Sequence, residues 1–191
     1  MTDNRIVKRG PLDGFRLPAG MCEVPFLAQV NLRADPTDVE VMKRLGSVLG
    51  FPLPLIPNTV SGDVERHALW LGPDEWLVIG PPGCKDDLER RCRDALGRAT
   101  GAVVDVSASR TIVEMRGPAA REVLEAGCAI DLHPRAFRAG CCAQTLVART
   151  GVIVQHLTDE PLYRLFVRPS FAGYLASWLR DAAGSGSGRS V

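Results

Sequence analysis

The spacing of apolar residues along the chain switches repeatedly between the period of a strand and that of a helix. Val24 to Leu32 reads as a strand. Asp35-Pro36 opens a helix that runs to about Leu49, and a proline-rich loop follows from Phe51 to Pro57. Ala68–Leu71 and Glu75–Ile79 read as short strands joined by Gly72-Pro73-Asp74, a turn signal. Lys85 to Leu96 is a charged amphipathic helix stopped by Gly97. Val103–Val106 and Thr111–Met115 are strands, and Gly117-Pro118 starts a helix to Ala126. Thr145–Ala148, Val152–Leu157 and Tyr163–Val167 are strands, and Phe171–Ala182 is the last helix.

This order repeats itself. The stretch from Glu75, EWLVIGPPGCKDDLERRCRDALG, lies without gaps on LYRLFVRPSFAGYLASWLRDAAG from Leu162. Trp76 then falls on Tyr163, Leu88 on Leu175, and Arg93-Asp94-Ala95 on Arg180-Asp181-Ala182. Upstream, VNLRADPTDVEVMKRL lies on VEMRGPAAREVL with a small gap. The expected class is therefore α+β, with two pseudo-repeated strand–helix–strands–helix halves, about 21–100 and 101–183, sharing a core. Residues 1–20 are polar and broken by Gly10-Pro11, Gly14 and Pro18, which predicts an extended N-terminal arm. GSGSGRSV, from Gly184 to Val191, predicts a flexible tail.

Composition narrows the function mainly by exclusion. The 191 residues are 46% hydrophobic with a net charge of +1, so no basic field for nucleic acid is present. No apolar run approaches the roughly 20 residues of a membrane span, and MTDNRIVKRG is no signal sequence. The expected compartment is the cytoplasm, with the six cysteines reduced. His67, His133 and His156 are scattered, no Cys-x-x-Cys occurs, and Cys141-Cys142 would point to opposite faces of a strand. Gly80-Pro81-Pro82-Gly83 lacks the Gly-Lys-Ser/Thr ending and the N–H donors of a phosphate loop. Ser107 and Ser109 have no histidine at a recognisable spacing. These patterns give no catalytic, cofactor-binding or metal-binding residue. Trp70 and Trp76 are expected in the core or at an interface.

One stretch is more specific. VVDVSASRTIVEMRGPAAREVLEAG, from Val103, resembles folate-dependent aminomethyltransferases at Asp105, Ser107, Ile112, Gly117, Ala120 and Leu124. Thr145, Gly151, Ile153 and Leu157 continue the likeness, but Gln155 and His156 stand at the family's Asp-Asp, and Ala108 replaces its histidine. An amide and an imidazole do not supply the fixed negative charge of a carboxylate. From about Val24 to Ala183 the chain resembles the gamma subunit family of heterotetrameric sarcosine oxidases, which keeps a folate-binding aminomethyltransferase-like fold without its chemistry. That resemblance implies a non-catalytic structural chain in a complex that converts sarcosine to glycine, with alpha, beta and delta subunits as partners. It also implies FAD, FMN, NAD, folate and zinc in those partners and none in this chain. A stand-alone folate-binding or one-carbon transfer protein is the alternative. The arm's Phe15, Arg16 and Leu17 are the candidate partner contacts, because a partner surface could bury two apolar side chains there.

Overall fold

Asp38 begins the first helix: its carboxylate accepts the N–H of Val41 at 3.0 Å, and Gly50 ends the helix in the left-handed conformation with φ 89°. Asp35 and Pro36 lie just before it, where Asp35 accepts the N–H of Thr37 at 2.8 Å in a turn of its own. The helix therefore starts later than the Asp35-Pro36 signal predicts. The computed structural model describes residues 8–186. Its elements are β1 (Met21–Glu23), β2 (Ala28–Ala34), α1 (Val39–Leu49), β3 (Val60–Gly62), β4 (His67–Gly72), β5 (Glu75–Gly80), α2 (Lys85–Leu96), β6 (Gly101–Asp105), β7 (Thr111–Arg116), α3 (Ala119–Glu125), β8 (Cys141–Val147), β9 (Thr150–Thr158), β10 (Leu162–Val167) and α4 (Pro169–Gly186).

These form two five-stranded sheets, β3-β4-β5-β2-β6 and β8-β9-β10-β7-β1, antiparallel throughout. The two orders superimpose when β2, β3, β4 and β5 are matched to β7, β8, β9 and β10. The fifth places do not follow the expected boundary at residue 100. β6, from residues 101–105, completes the first sheet, and β1, from residues 21–23, completes the second. Each edge strand pairs with the nearer central strand of the opposite half, β6 with β2 and β1 with β7.

Strand alternation divides the core into three layers. On β5, Trp76 and Val78 face α1 and α2, joining Val30, Leu32, Leu45, Leu88 and Cys92. On β10, Tyr163 and Leu165 face α3 and α4, joining Val113, Met115, Leu124, Leu175 and Leu179. Between the sheets, Leu69, Leu77 and Ile79 meet Ile112, Cys142, Ile153 and Phe166. The architecture is thus helix–sheet–sheet–helix, and β10 is buried at every position because both of its faces are covered. Each large apolar side chain so buried contributes roughly 1.5–3 kcal/mol. Trp76 also donates its indole N–H to the carbonyl of Pro54 at 2.7 Å, which fixes the proline-rich loop. Trp178 of α4 lies so close over Gly127 that a Cβ there would stand 2.4 Å from the ring.

Two expectations at the ends are corrected. From Gly10 onward the arm is packed on the chain's own domain: Leu12 is 4% exposed in the α3–α4 layer, and Leu17 packs against the same layer. The N–H of Leu12 points at the Glu23 carboxylate at 3.3 Å, which in turn accepts the Thr111 hydroxyl at 2.5 Å. Few apolar residues suffice here because α4 and β7 supply the covering surface. The last helix runs to Gly186, past the Gly184 at which a tail was expected. Residues 1–7 and 187–191 lie outside the described residues.

Candidate functional site

The Asp105–Ser107 motif comes to lie at the wall of a cleft of about 700 Å³, between the end of β6, the start of α2 and the residues before β2. A cavity of that size falls within the range of small-molecule sites. Its walls include Phe26, Lys85, Asp105, Ser107, Ala108 and Arg110. The motif's polar groups are engaged with the fold. The Ser107 hydroxyl donates to Asp105 at 2.5 Å and accepts the N–H of Gln29 at 2.9 Å, while Lys85 reaches Asp105 at 2.9 Å. Burial works to raise the Asp105 carboxyl, but the hydrogen bonds from Ser107 and Lys85 outweigh it and hold it at about 2. Asp105 is therefore a fixed anion tying the β6–β7 turn to α2 and not a proton carrier near neutrality. Phe26 holds a left-handed φ of 65°, an unusual conformation for a bulky residue, and its ring is 44% exposed.

Gln155 and His156 do not reach this cleft. Both are buried, and as neighbours on β9 they point to opposite faces. His156 is stacked on Tyr163, with ring centroids 4.5 Å apart, and donates its Nδ1–H to the carbonyl of Phe137 at 2.9 Å. Gln155 faces the layer between the sheets, beside His67. His67, 1% exposed, gives its Nδ1–H to the carbonyl of Asp63 at 2.9 Å. Burial, aided by the charge of Arg164, pushes its pKa down to about 4, so it is neutral near pH 7.

The same layer holds a charged pair that the motif search passes over. Glu114 of β7 accepts Arg164 of β10 at 2.9 Å and Arg116 at 2.6 Å, with Glu114 and Arg164 side chains only 4% and 8% exposed. The signal was present in the sequence as single charges inside the apolar runs TIVEM and LYRLFV. A carboxylate pinned by two guanidiniums organises the fold here, and the Cys22 thiol of β1, the cross-strand partner of Glu114, is pushed above its ordinary pKa by burial and by the Glu114 charge.

The sequence model described as the sarcosine oxidase gamma subunit family matches residues 33–185. The sarcosine oxidase subunit gamma of Corynebacterium sp. strain P-1 is 40% identical over 161 residues, which cover 84% of this chain and 77% of that protein. The chain belongs to the sarcosine oxidase gamma subunit family. Among solved structures, the heterotetrameric sarcosine oxidase from Corynebacterium sp. U-96, in complex with pyrrole 2-carboxylate, contains a chain that superimposes with a TM-score of 0.87. That match has 33% identity and covers 96% of this chain and 98% of the other. The aminomethyltransferase T of the glycine cleavage system from Bartonella henselae shares the fold, with a TM-score of 0.62, 13% identity, and coverage of 88% of this chain and 47% of that one.

Among the described residues no three His, Cys, Asp or Glu side chains converge as metal ligands, and all six cysteines are free thiols. Cys142 is buried between the sheets, whereas Cys141 packs on the α3–α4 side, as strand alternation requires. Among the described residues no helix is long and apolar enough to cross a membrane. Of the three arm residues, Phe15 and Arg16 are exposed and Leu17 is half-buried. The Phe15 ring lies against α4, 3.2 Å from where a Cβ of Gly173 would stand.

Proposed function

We propose that this chain is a non-catalytic structural subunit of a heterotetrameric sarcosine oxidase, working in the cytoplasm beside alpha, beta and delta subunits. FAD, FMN, NAD, folate and zinc belong, on this reading, to those partners, and the complex oxidises sarcosine to glycine with folate as one-carbon acceptor. The observation that carries it is the end-to-end match to a chain of such a heterotetramer, 0.87 over 96% of this one. The site supports it, since both residues at the transferase carboxylate positions, Gln155 and His156, are buried in the fold and cannot hold a substrate amine.

Phe15 and Arg16 are proposed as partner contacts, because an exposed aromatic beside an arginine suits a protein interface. The test is co-expression with the large subunits. The chain should co-purify with them and sarcosine turnover should reside in the complex, while the isolated chain should show neither turnover nor flavin absorbance. Turnover by the isolated chain, or tight folate binding to it in calorimetry, would overturn the reading.

A further inference from the structure

The repeat supplies an internal control for one cluster that the fold itself does not explain. The last rung between β10 and β7 pairs Val167 with Thr111, so Arg168 and Arg110 follow as facing residues just beyond the ladder. Like charges placed opposite each other across strands are destabilising. At the matching place in the first sheet the last rung is Ala28 with Gly80, and the next two residues are the apolar Leu27 and Pro81. The second sheet thus carries two cations where the first carries none.

Among the described residues neither guanidinium has a hydrogen-bonded or ion-paired carboxylate, and the backbone of Arg110 is fixed by its carbonyl accepting from Gln29 at 2.9 Å. Burial and the charge of Arg168 both push the Arg110 pKa down, and the opposing field of Glu75 is weaker. Glu75 is itself held by Asn31 at 2.7 Å. Arg110 is two residues from Ile112 and Arg168 two from Phe166, so both leave the sheet on the face that looks toward the first sheet. They flank a cleft of about 200 Å³ floored by Ile153 and Phe166, with Thr145 on its wall and Gly151 leaving one side open. That volume is below the range of cofactor sites and suits a single side chain. A planar guanidinium pair matches a carboxylate bidentately.

We infer that the Arg110–Arg168 cleft receives an aspartate or glutamate side chain of a partner subunit. The inference rests on the subunit reading above. It is tested with the full chain co-expressed with the large subunits, as wild type, Arg110→Gln, Arg168→Gln and the double variant. Each single change should weaken association roughly tenfold and the double change more. The wild-type complex should also be the more salt-sensitive one. The free chain should keep or raise its Tm in the glutamine variants, because the repulsion is removed.

Unchanged association of the double variant overturns the inference while leaving the subunit reading intact. Failure of the wild-type chain to associate overturns both. A lower Tm of the free variants also overturns the inference, since the pair would then serve the chain's own fold. A rise in wild-type Tm with inorganic phosphate that the double variant lacks assigns the cleft to a free anion and overturns the partner assignment.

Discussion

The first and second sheets have the same strand order and the same helix-facing rows, yet their facing rows differ. Val30, Leu32, Trp76 and Val78 in the first correspond to Val113, Met115, Tyr163 and Leu165 in the second, and all eight are buried under helices. Between the sheets the equivalence stops. The cross-strand pair Asn31–Leu77 in the first sheet corresponds to Glu114–Arg164 in the second. A helix-covered face accepts any apolar set of suitable volume, so two sequences with few identities build the same outer layers. The facing rows carry the individuality of each half, and the second half carries the buried ion pair.

The sharpest way to break the comparison is therefore at that pair. Glu114→Gln leaves Arg164 buried without its carboxylate and should destabilise the chain by about 3–5 kcal/mol. The double change Glu114→Asn with Arg164→Leu copies the first sheet and should cost far less, because no buried charge is stranded. Chemical denaturation of Glu114→Asn, Arg164→Leu and their double variant gives the coupling energy. A double variant as unstable as Glu114→Gln would show that the two sheets are not interchangeable at this rung.

The halves also differ at their edges. The first sheet ends on β6 from within the domain, whereas the second ends on β1 and is covered by the N-terminal residues. Leu12→Ala should therefore cost about 2–5 kcal/mol, as for a buried leucine of any core. Phe15→Ala, three residues on and 46% exposed, should stay within about 0.5 kcal/mol. Equal small losses in thermal unfolding would return residues 10–20 to the role of a loose arm.

This edge is where the sequence was least legible. The strands with apolar runs, the helix Lys85–Leu96 and the repeat register of Trp76 on Tyr163 could all be read directly, because covered faces leave periodic signals. β1 and β3 have three residues each, too few for a period. The role of Leu12 depends on α4, more than 150 residues away, and no local pattern reports it. Gln155 and His156, which the resemblance sets at the transferase family's Asp-Asp, could be read as lacking its charge, but their burial away from the cleft could not. The Arg110–Arg168 pair was not, because it arises only when β7 and β10 are set side by side.

A pH measurement sharpens the contrast from the first sheet's side. His67 is an ordinary histidine near 6.5 when unfolded and about 4 in the fold. Below pH 6.5 the unfolded chain takes up a proton that the folded chain refuses, so stability falls as pH drops and the loss is complete near pH 4. The difference amounts to about 3 kcal/mol over that window. His67→Gln should flatten the slope of unfolding free energy between pH 6.5 and 4. An unchanged slope would place the acid sensitivity elsewhere.

The smallest effect is expected at the thiols, and it separates the layers. Burial pushes Cys142, between the sheets, up to about 12 and Cys92, in the α1–α2 layer, up to about 11. Near neutrality neither carries appreciable thiolate, the reactive form. Cys142 also donates weakly to the carbonyls of Thr59 and Trp70 at 3.5 and 3.6 Å, which ties β8 to the first sheet. Cys142→Ala removes about one methylene's worth of buried volume and should cost about 1 kcal/mol, with Cys141→Ala costing less. In the folded chain an alkylating reagent should modify the exposed Cys22 and spare Cys92 and Cys142, which should react only on unfolding. Modification of Cys142 at the rate of Cys22 would mean that the two sheets separate readily, and the layer holding Glu114 and Arg164 would then be wetter than its packing implies.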